Sequence, residues 1–430
     1  MLFGTDGIRG VVNKDLTPEL AFRVGNALGK VFQGEAVLLG RDTRASGEML
    51  EAALAAGLAS AGKDVMLCGV LPTPAVALLS RKMKTAGVII SASHNPPEYN
   101  GIKIVENGFK LSDEKEKEIE REVSKPRYVE SHQIGRIRKF EGAFDVYVGE
   151  VLSMFSDLNL SGMNIVVDAA NGAAYRTTPT VLEKLGAEVE VFSNEPDGFN
   201  INENCGSTNL NFLKSVKKSG AIGIAHDGDA DRCLMVDEMG EEVHGDKIIG
   251  IAAKMMADSG RLPSRKVVAT VLSNIALEEY LKDIGIELLR TKVGDRYVLE
   301  KMLQTGSTLG GERSGHIIFL DRSTTGDGLI TALEVLRAVR MSGKSLSELH
   351  SNIEDYPQIM INVVVRDKSI SNHPKVLEAI EKESEEGFRI IVRPSGTEPV
   401  VRIMVEGKDE TKIREKAQNI AGVVKSLELD

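Results

Sequence analysis

The sequence predicts an α/β protein: three similar α/β domains with parallel or mixed sheets, then a C-terminal α+β lid domain, around a central active-site cleft. Three observations carry this prediction. A strand–helix–strand–helix–strand order occurs three times in series, in units of about 100 residues. The last strand of each unit runs into a polar loop unlike its neighbours, and ligands of open α/β sheets bind beyond the carboxyl ends of strands. After Tyr356-Pro357 the order changes to β-α-β-β-α. At 430 residues the chain is too long for one core, and the expected domain limits are 1–147, 148–244, 245–353 and 354–430.

In the first unit, an apolar run at 36–39 leads into Gly40-Arg41-Asp42-Thr43-Arg44. A helix with apolar residues at helical spacing follows over 47–61, and Gly62 ends it. A second strand covers 65–68, Pro72-Thr73-Pro74 opens another helix, and the strand 88–90 delivers the loop Ser91-Ala92-Ser93-His94-Asn95-Pro96-Pro97. The proline pair holds that loop extended, and Lys103 follows in a short apolar run. The second unit reads as strand 165–168, a turn at Asn171-Gly172, helix 178–185, strand 189–192, a helix near 210–218 and strand 221–225. The third reads as strand 266–270, a turn at Ser273-Asn274, a helix to Ile284, strand 287–289, helix 297–303 and a short strand before Gly310-Gly311. In the tail, strands at 360–365, 388–392 and 400–405 accompany helices near 374–382 and 410–426. The charge-dense stretch 113–127 reads as a solvated helix without chemistry.

Composition narrows the function classes. With 42% hydrophobic and 27% charged residues, each domain can bury an ordinary core. The formal net charge of −10, with no compensating basic cluster, speaks against a nucleic-acid partner. Three widely spaced cysteines suggest reduced thiols and no disulfide framework. No apolar run of about 18 residues and no signal-peptide pattern is present, so the expectation is a cytoplasmic protein with no membrane partner.

Four loops carry chemistry. Ser93 lies on a rigid loop beyond a buried strand, where an α/β enzyme places a nucleophile. Asp227-Gly228-Asp229-Ala230-Asp231-Arg232 sets three carboxylates at alternate positions of a tight turn, which requires a cation between them. Oxygen ligands without cysteine or a histidine pair favour Mg²⁺. An EF-hand would need glycine where Arg232 stands and helices where apolar strands flank the loop, although Glu238 falls at its twelfth position. Gly311-Glu312-Arg313-Ser314-Gly315-His316 offers a carboxylate, a hydroxyl and an imidazole suited to sugar hydroxyls. Arg393-Pro394-Ser395-Gly396-Thr397-Glu398-Pro399, with Arg402, reads as a phosphate cradle. Gly4-Thr5-Asp6-Gly7-Ile8-Arg9-Gly10 lacks the spacing of a dinucleotide fingerprint, and Gly343-Lys344-Ser345 lacks the upstream glycine of a P-loop.

In this order and over the whole chain, these motifs resemble the α-D-phosphohexomutase superfamily. The opening at 3–10, the segment 293–298 and the loop 310–316 look most like members acting on glucosamine phosphates, with Arg313 where those usually have glutamine. The resemblance implies four domains around a cleft and a phosphosugar mutase that interconverts glucosamine-6-phosphate and glucosamine-1-phosphate. Ser93 would carry a phosphoryl group, donate it to the sugar monophosphate and regain the other phosphate of the resulting bisphosphate. One Mg²⁺ per active site would be held by Ser93, Asp227, Asp229 and Asp231, with a hexose bisphosphate as activator and intermediate. Arg9, Lys103 and Arg232 would stabilise charge or aid proton transfer; Glu312, Ser314 and His316 would bind the sugar. Arg393, Ser395, Gly396, Thr397 and Arg402 would hold the non-reacting phosphate. A homodimer is compatible with the resemblance. The rival readings are the same chemistry on glucose or mannose phosphates, a metal-dependent sugar phosphatase and a noncatalytic sugar-phosphate binder.

Overall fold

The computed structural model describes residues 2–4, 6–395 and 399–429. The chain divides into two compact units: residues 1–272 with 284–351, and residues 273–283 with 352–430. The first unit holds three mixed sheets and the second holds one three-stranded antiparallel sheet. Among the described residues, no helix is long and apolar enough to cross a membrane.

The largest sheet of the first unit runs Ile8–Val11, Tyr99–Glu106, Ala86–Ile90, Ala36–Arg41, Asp64–Val70, Ile137–Lys139, with Phe109–Lys110 paired to Tyr99–Glu106. Ala36–Arg41 pairs in parallel with Asp64–Val70 and Ala86–Ile90, whereas Tyr99–Glu106 returns antiparallel beside Ala86–Ile90. Ala86–Ile90 is buried along its whole length, as a central strand covered on both faces should be. The second sheet is ordered Glu242–Val243, Cys233–Val236, Ile222–His226, Asn164–Asp168, Glu188–Phe192. The third is ordered Glu287–Thr291, Lys266–Thr270, Leu309–Gly311, Ile317–Phe319. Here too the last parallel strand is followed by an antiparallel return, Cys233–Val236 beside Ile222–His226 and Ile317–Phe319 beside Leu309–Gly311.

The three polar loops therefore occupy one topological position: each joins the third strand of its βαβαβ unit to an antiparallel return strand. The sequence shows the end of the first partner more clearly than the second. Tyr99–Glu106 carries Asn100, Gly101 and Lys103 within its apolar pattern, and Ile317–Phe319 is only three residues long. Arg9 lies within the strand Ile8–Val11, opposite Gly101, where the sequence suggests a loop. The helix expected from residue 178 starts at Ala174 and contains Pro179. The charged helix spans Asp113–Val123 and buries Ile119.

The second unit follows the predicted β-α-β-β-α order, with Gln358–Val364, Pro374–Glu383, Phe388–Pro394, Val400–Gly407 and Glu410–Leu429. Its core gathers Val363, Val401, Ile403, Val405, Ile413 and Ile420. The helix Ile275–Asp283 belongs to this unit: the Ile275 N–H donates to Glu406 Oε1 at 3.0 Å, and Asn274 Nδ2 donates to the Tyr356 carbonyl at 3.0 Å.

Two helices on the largest sheet, Pro18–Val31 and Ser46–Ser60, touch backbone to backbone. The first starts at a threonine cap, Thr17 accepting from the Leu20 N–H, with Pro18 opening the helix. A Cβ on Gly57 would lie 2.1 Å from the Phe22 carbonyl oxygen, and one on Gly25 would lie 2.4 Å from that of Leu54. Gly149, in the helix Ala143–Met154, would meet nothing within 4 Å. Gly57→Ala is therefore expected to lower the thermal midpoint, at a cost of about 1–3 kcal/mol. Gly149→Ala is expected to raise it by about 0.4–1 kcal/mol. Differential scanning calorimetry of the two variants beside the parent checks both signs.

Candidate active site

Ser93 is buried and held in the left-handed backbone region at φ +52°. A non-glycine residue stays there only when its surroundings over-determine it. They do: the Ser93 N–H donates to Ser91 Oγ at 2.9 Å, and its carbonyl accepts from Arg44 Nη2 at 3.0 Å and Asn202 Nδ2 at 2.9 Å. This turns Ser93 Oγ onto Asp227, to which it donates at 2.5 Å. His94 Nδ1 lies 3.3 Å from the same oxygen. Burial, with Arg232 and Arg9 nearby, lowers the His94 pKa to about 4, so the ring is neutral at physiological pH.

Asp227, Asp229 and Asp231 are all buried, with ligand oxygens within 4.8 Å of one another. Ala230, at φ +57°, makes the tight turn between them. Burial, then repulsion from Asp231 and Asp229, pushes the Asp227 carboxyl well above the usual range. Lys103 supplies the neighbouring positive charge: its Nζ lies 2.8 Å from Asp229 Oδ2, 3.0 Å from Asp6 Oδ2 and 3.3 Å from Asp231 Oδ2. Burial opposes that ammonium, but the carboxylates of Asp229, Asp6 and Asp231 outweigh it and hold its pKa well above the ordinary value. Asp229 Oδ1 and Asp231 Oδ1 remain buried without a hydrogen-bond partner among the described residues. Acceptor atoms so placed, beside a carboxyl whose pKa burial and like-charged neighbours raise, fit a hard cation.

Above this floor opens a cleft of about 500 Å³, lined by Arg9, His94, Asp231, Arg232, Glu312 and His316 among others. The metal-type loop and the sugar-type loop are stitched together, since Arg232 and His316 form an antiparallel bridge and the Cys233 N–H donates to the Gly315 carbonyl at 3.0 Å. Glu312 Oε1 accepts the Gly294 N–H at 3.1 Å. Both ring nitrogens of His316 are buried without a hydrogen-bond partner among the described residues, although Nε2 lies 3.6 Å from Asp295 Oδ2. Ser314, half-buried, sits on the turn between Glu312 and His316. Arg313 points to Asp246 instead, with Nη1 3.2 Å from its Oδ2. The structure thus gathers Arg9, Ser93, Lys103, Asp227, Asp229, Asp231, Arg232, Glu312 and His316 into one unit.

The second unit carries Arg393, Ser395 and Arg402; Gly396 and Thr397 lie outside the described residues. Arg393 and Arg402 are direct cross-strand partners, and Asn362 is the partner of Arg402 on its other side, so the three form one rung of the sheet. Directly opposed like charges are unfavourable without an anion, and burial plus Arg402 lowers the Arg393 pKa. Lys368 Nζ donates to the Ser395 carbonyl at 2.8 Å and fixes the start of the loop.

Comparison with known proteins decides the family. Four phosphoglucomutase/phosphomannomutase domains match in series: alpha/beta/alpha domain I at 1–130, domain II at 145–240, domain III at 244–356 and the C-terminal domain at 360–423. A phosphoglucosamine mutase of Thermosipho africanus is 54% identical over 426 residues, covering 99% of this chain and 98% of that protein. The chain belongs to the phosphoglucomutase/phosphomannomutase family. A phosphoglucosamine mutase of Thermotoga neapolitana is 56% identical over 425 residues, covering 98% of each chain. Among solved structures, a phosphoglucomutase/phosphomannomutase family protein from Burkholderia thailandensis superposes with a TM-score of 0.83 at 25% identity, covering 99% of this chain and 97% of that one. An Aspergillus fumigatus N-acetylphosphoglucosamine mutase in complex with GlcNAc-6P and magnesium shares the fold, with a TM-score of 0.73 at 17% identity and 100% of this chain covered.

Within this family member, several residues around the site escape the motif reading. Arg44 is fully buried; it pairs with Asp42 at 2.9 Å and donates to the carbonyls of Ser93, Asn95, Pro96 and Tyr99. Asp42 in turn accepts from Ser91 Oγ at 2.6 Å, so one ion pair braces both sides of the serine loop. Asp6 bridges Lys103, Lys110 and Arg9, and Asp295 pairs with Lys110. The string Gly40-Arg41-Asp42-Thr43-Arg44 after a strand was the visible signal for the first of these; isolated aspartates give none. Replacing Arg44 with Met takes one donor from each of four carbonyls, of which those of Ser93 and Asn95 still accept from Asn202 Nδ2, and leaves the buried Asp42 carboxylate without its counter-charge, an expected loss of about 3–5 kcal/mol in stability. Thermal unfolding of Arg44→Met checks this, and Arg44→Lys should recover only part of the loss because one ammonium cannot span all five acceptors.

His226, fully buried before Asp227, donates from Nδ1 to the Arg232 carbonyl at 3.1 Å and contacts Thr178 Oγ1 through Nε2 at 3.0 Å. Burial lowers its pKa from 6.5 to about 4. Neutral in both states above pH 6.5 and penalised in the fold when charged, His226 withdraws stability as pH falls toward 4, by roughly 3 kcal/mol. The thermal midpoint of His226→Gln should fall less between those pH values than that of the parent.

Proposed function

We propose that this protein interconverts glucosamine-6-phosphate and glucosamine-1-phosphate through a phosphorylated Ser93 and a bisphosphate sugar. The observation that carries the mechanism is the buried Ser93 hydroxyl, turned in a constrained conformation onto Asp227 of the carboxylate triad. The glucosamine preference rests on relatives of more than 50% identity over nearly the whole chain that are named phosphoglucosamine mutases. Four domains at 1–147, 148–244, 245–353 and 354–430 and a cytoplasmic location go with this reading.

Asp227, Asp229 and Asp231, with a phosphate oxygen on Ser93, would hold one Mg²⁺, the hard cation that an all-oxygen site favours. When bound, it offsets negative charge on the transferring phosphoryl group. The chain's own groups do the rest. In the forward step the O–P bond at Ser93 breaks as one forms to the free sugar hydroxyl. The hydroxyl proton ends on Ser93 Oγ, where Asp227 accepts it in a hydrogen bond. Lys103, kept as an ammonium by three carboxylates, acts as a positive charge and hydrogen-bond donor, and Arg9 and Arg232 line the space above it. Glu312, Ser314 and His316 orient the sugar; Arg393, Ser395, Gly396, Thr397 and Arg402 hold the phosphate that does not react. The bisphosphate turns over and returns its second phosphate to Ser93, and added hexose bisphosphate primes unphosphorylated enzyme.

A coupled assay of glucosamine, glucose and mannose phosphates, with Mg²⁺ and catalytic bisphosphate, tests the substrate. Glucosamine phosphate is expected to turn over fastest; parity among the three refutes the preference. Ser93→Ala should lose about 10³-fold or more of turnover while keeping the parent circular dichroism spectrum. Near-parent activity in that variant would move the phosphoryl acceptor to another residue.

A further inference from the structure

The cation site draws on a residue outside the acidic loop. Asp229 presents two unlike oxygens. Oδ2 accepts from Lys103 Nζ at 2.8 Å and from Thr73 Oγ1, whereas Oδ1 is buried without a hydrogen-bond partner among the described residues. Thr73 grips the same residue a second time, its N–H donating to the Asp229 carbonyl at 3.0 Å. It opens the helix Thr73–Met83 between Pro72 and Pro74, which fix the backbone there, and it is buried. Its hydroxyl spends its proton on a carboxylate of a different domain.

We infer that Thr73 is a positioning residue of the cation site: by holding Asp229 Oδ2, it keeps Oδ1 as the oxygen presented to the ion. This rests on the reading of Asp227, Asp229 and Asp231 as that site. Lys103 cannot serve the purpose alone, because its charge competes with a cation for the carboxylate and it is shared with Asp6 and Asp231. The hydroxyl orients without adding charge, the part that outer-shell donors play for carboxylate ligands. Valine has the same shape and no donor, so Thr73→Val leaves Asp229 free to rotate toward Lys103.

Full-length parent, Thr73→Val, Thr73→Ser and Asp229→Asn, each shown to be unphosphorylated by intact mass, would be titrated with Mn²⁺. Free ion is read by electron paramagnetic resonance, and Mg²⁺ displaces it in a second titration. Thr73→Val should bind about 10–100-fold more weakly, Thr73→Ser close to the parent, and Asp229→Asn not at all. Should the valine variant not fold, Thr73→Ala carries the same expectation. Parent affinity in Thr73→Val alongside loss in Asp229→Asn overturns the role of Thr73. An equal loss in Thr73→Ser and Thr73→Val shows that packing matters and the hydroxyl does not, and also overturns it. Parent affinity in Asp229→Asn refutes the cation site itself.

Discussion

Three carboxylates buried together at the end of one strand are the constraint on which the rest of this structure depends. Without neutralisation they would drive the loop apart, since charges this close in a low-dielectric site repel by several kcal/mol. The chain answers partly with its own groups: Lys103 beneath the triad, the Arg232 main-chain N–H on Asp227, and Thr73 on Asp229. It answers incompletely, and the shortfall is what the proposed cation would supply. Asp229 Oδ1 and Asp231 Oδ1 have no hydrogen-bond partner among the described residues, burial and then Asp231 and Asp229 raise the Asp227 pKa, and the Ser93 hydroxyl donates to Asp227.

The arrangement follows from topology. Each βαβαβ unit of the first part of the chain ends in a loop leading to an antiparallel return strand, and the three loops carry the serine, the acids and the sugar-type residues. Because the loops leave rigid, buried strands, their side chains are held by the sheets; because the loops bond to one another, the sheets hold their register. Gly228 shows how close this fit is, since a Cβ there would lie 2.6 Å from the Ser93 carbonyl oxygen. The phosphate-type residues follow a different logic in the second unit, where Arg393 and Arg402 are forced opposite each other by strand pairing.

Much of this was legible in the sequence because the chemistry sits in contiguous loops. The triad, Ser93, the loop 311–316 and the arginines 393 and 402 belong to short strings, and the β-α-β-β-α tail reads correctly to within a few residues. The return strands were poorly legible because polar and glycine residues interrupt Tyr99–Glu106 and because Ile317–Phe319 is short. The bracing of the site was hardly legible at all. Thr73, Asp6 and Asn202 act on partners roughly 100 to 150 positions away along the chain with no local pattern to mark them, and Arg44 and Asp42, marked only by the string 40–44, act on partners about 50 positions away. The helix Ile275–Asp283, which groups with the C-terminal unit, is long-range packing of the same kind.

The central claim is that Ser93 exchanges a phosphoryl group with the sugar and does not surrender it to water. Phosphate transfer followed with ³²P tests it most directly. Enzyme incubated with labelled glucosamine bisphosphate and Mg²⁺, then digested, should carry label on the peptide containing Ser93. A chase with unlabelled glucosamine-6-phosphate should move that label onto the sugar. Label released as inorganic phosphate, with none on the peptide and none recovered in sugar after the chase, would contradict the account.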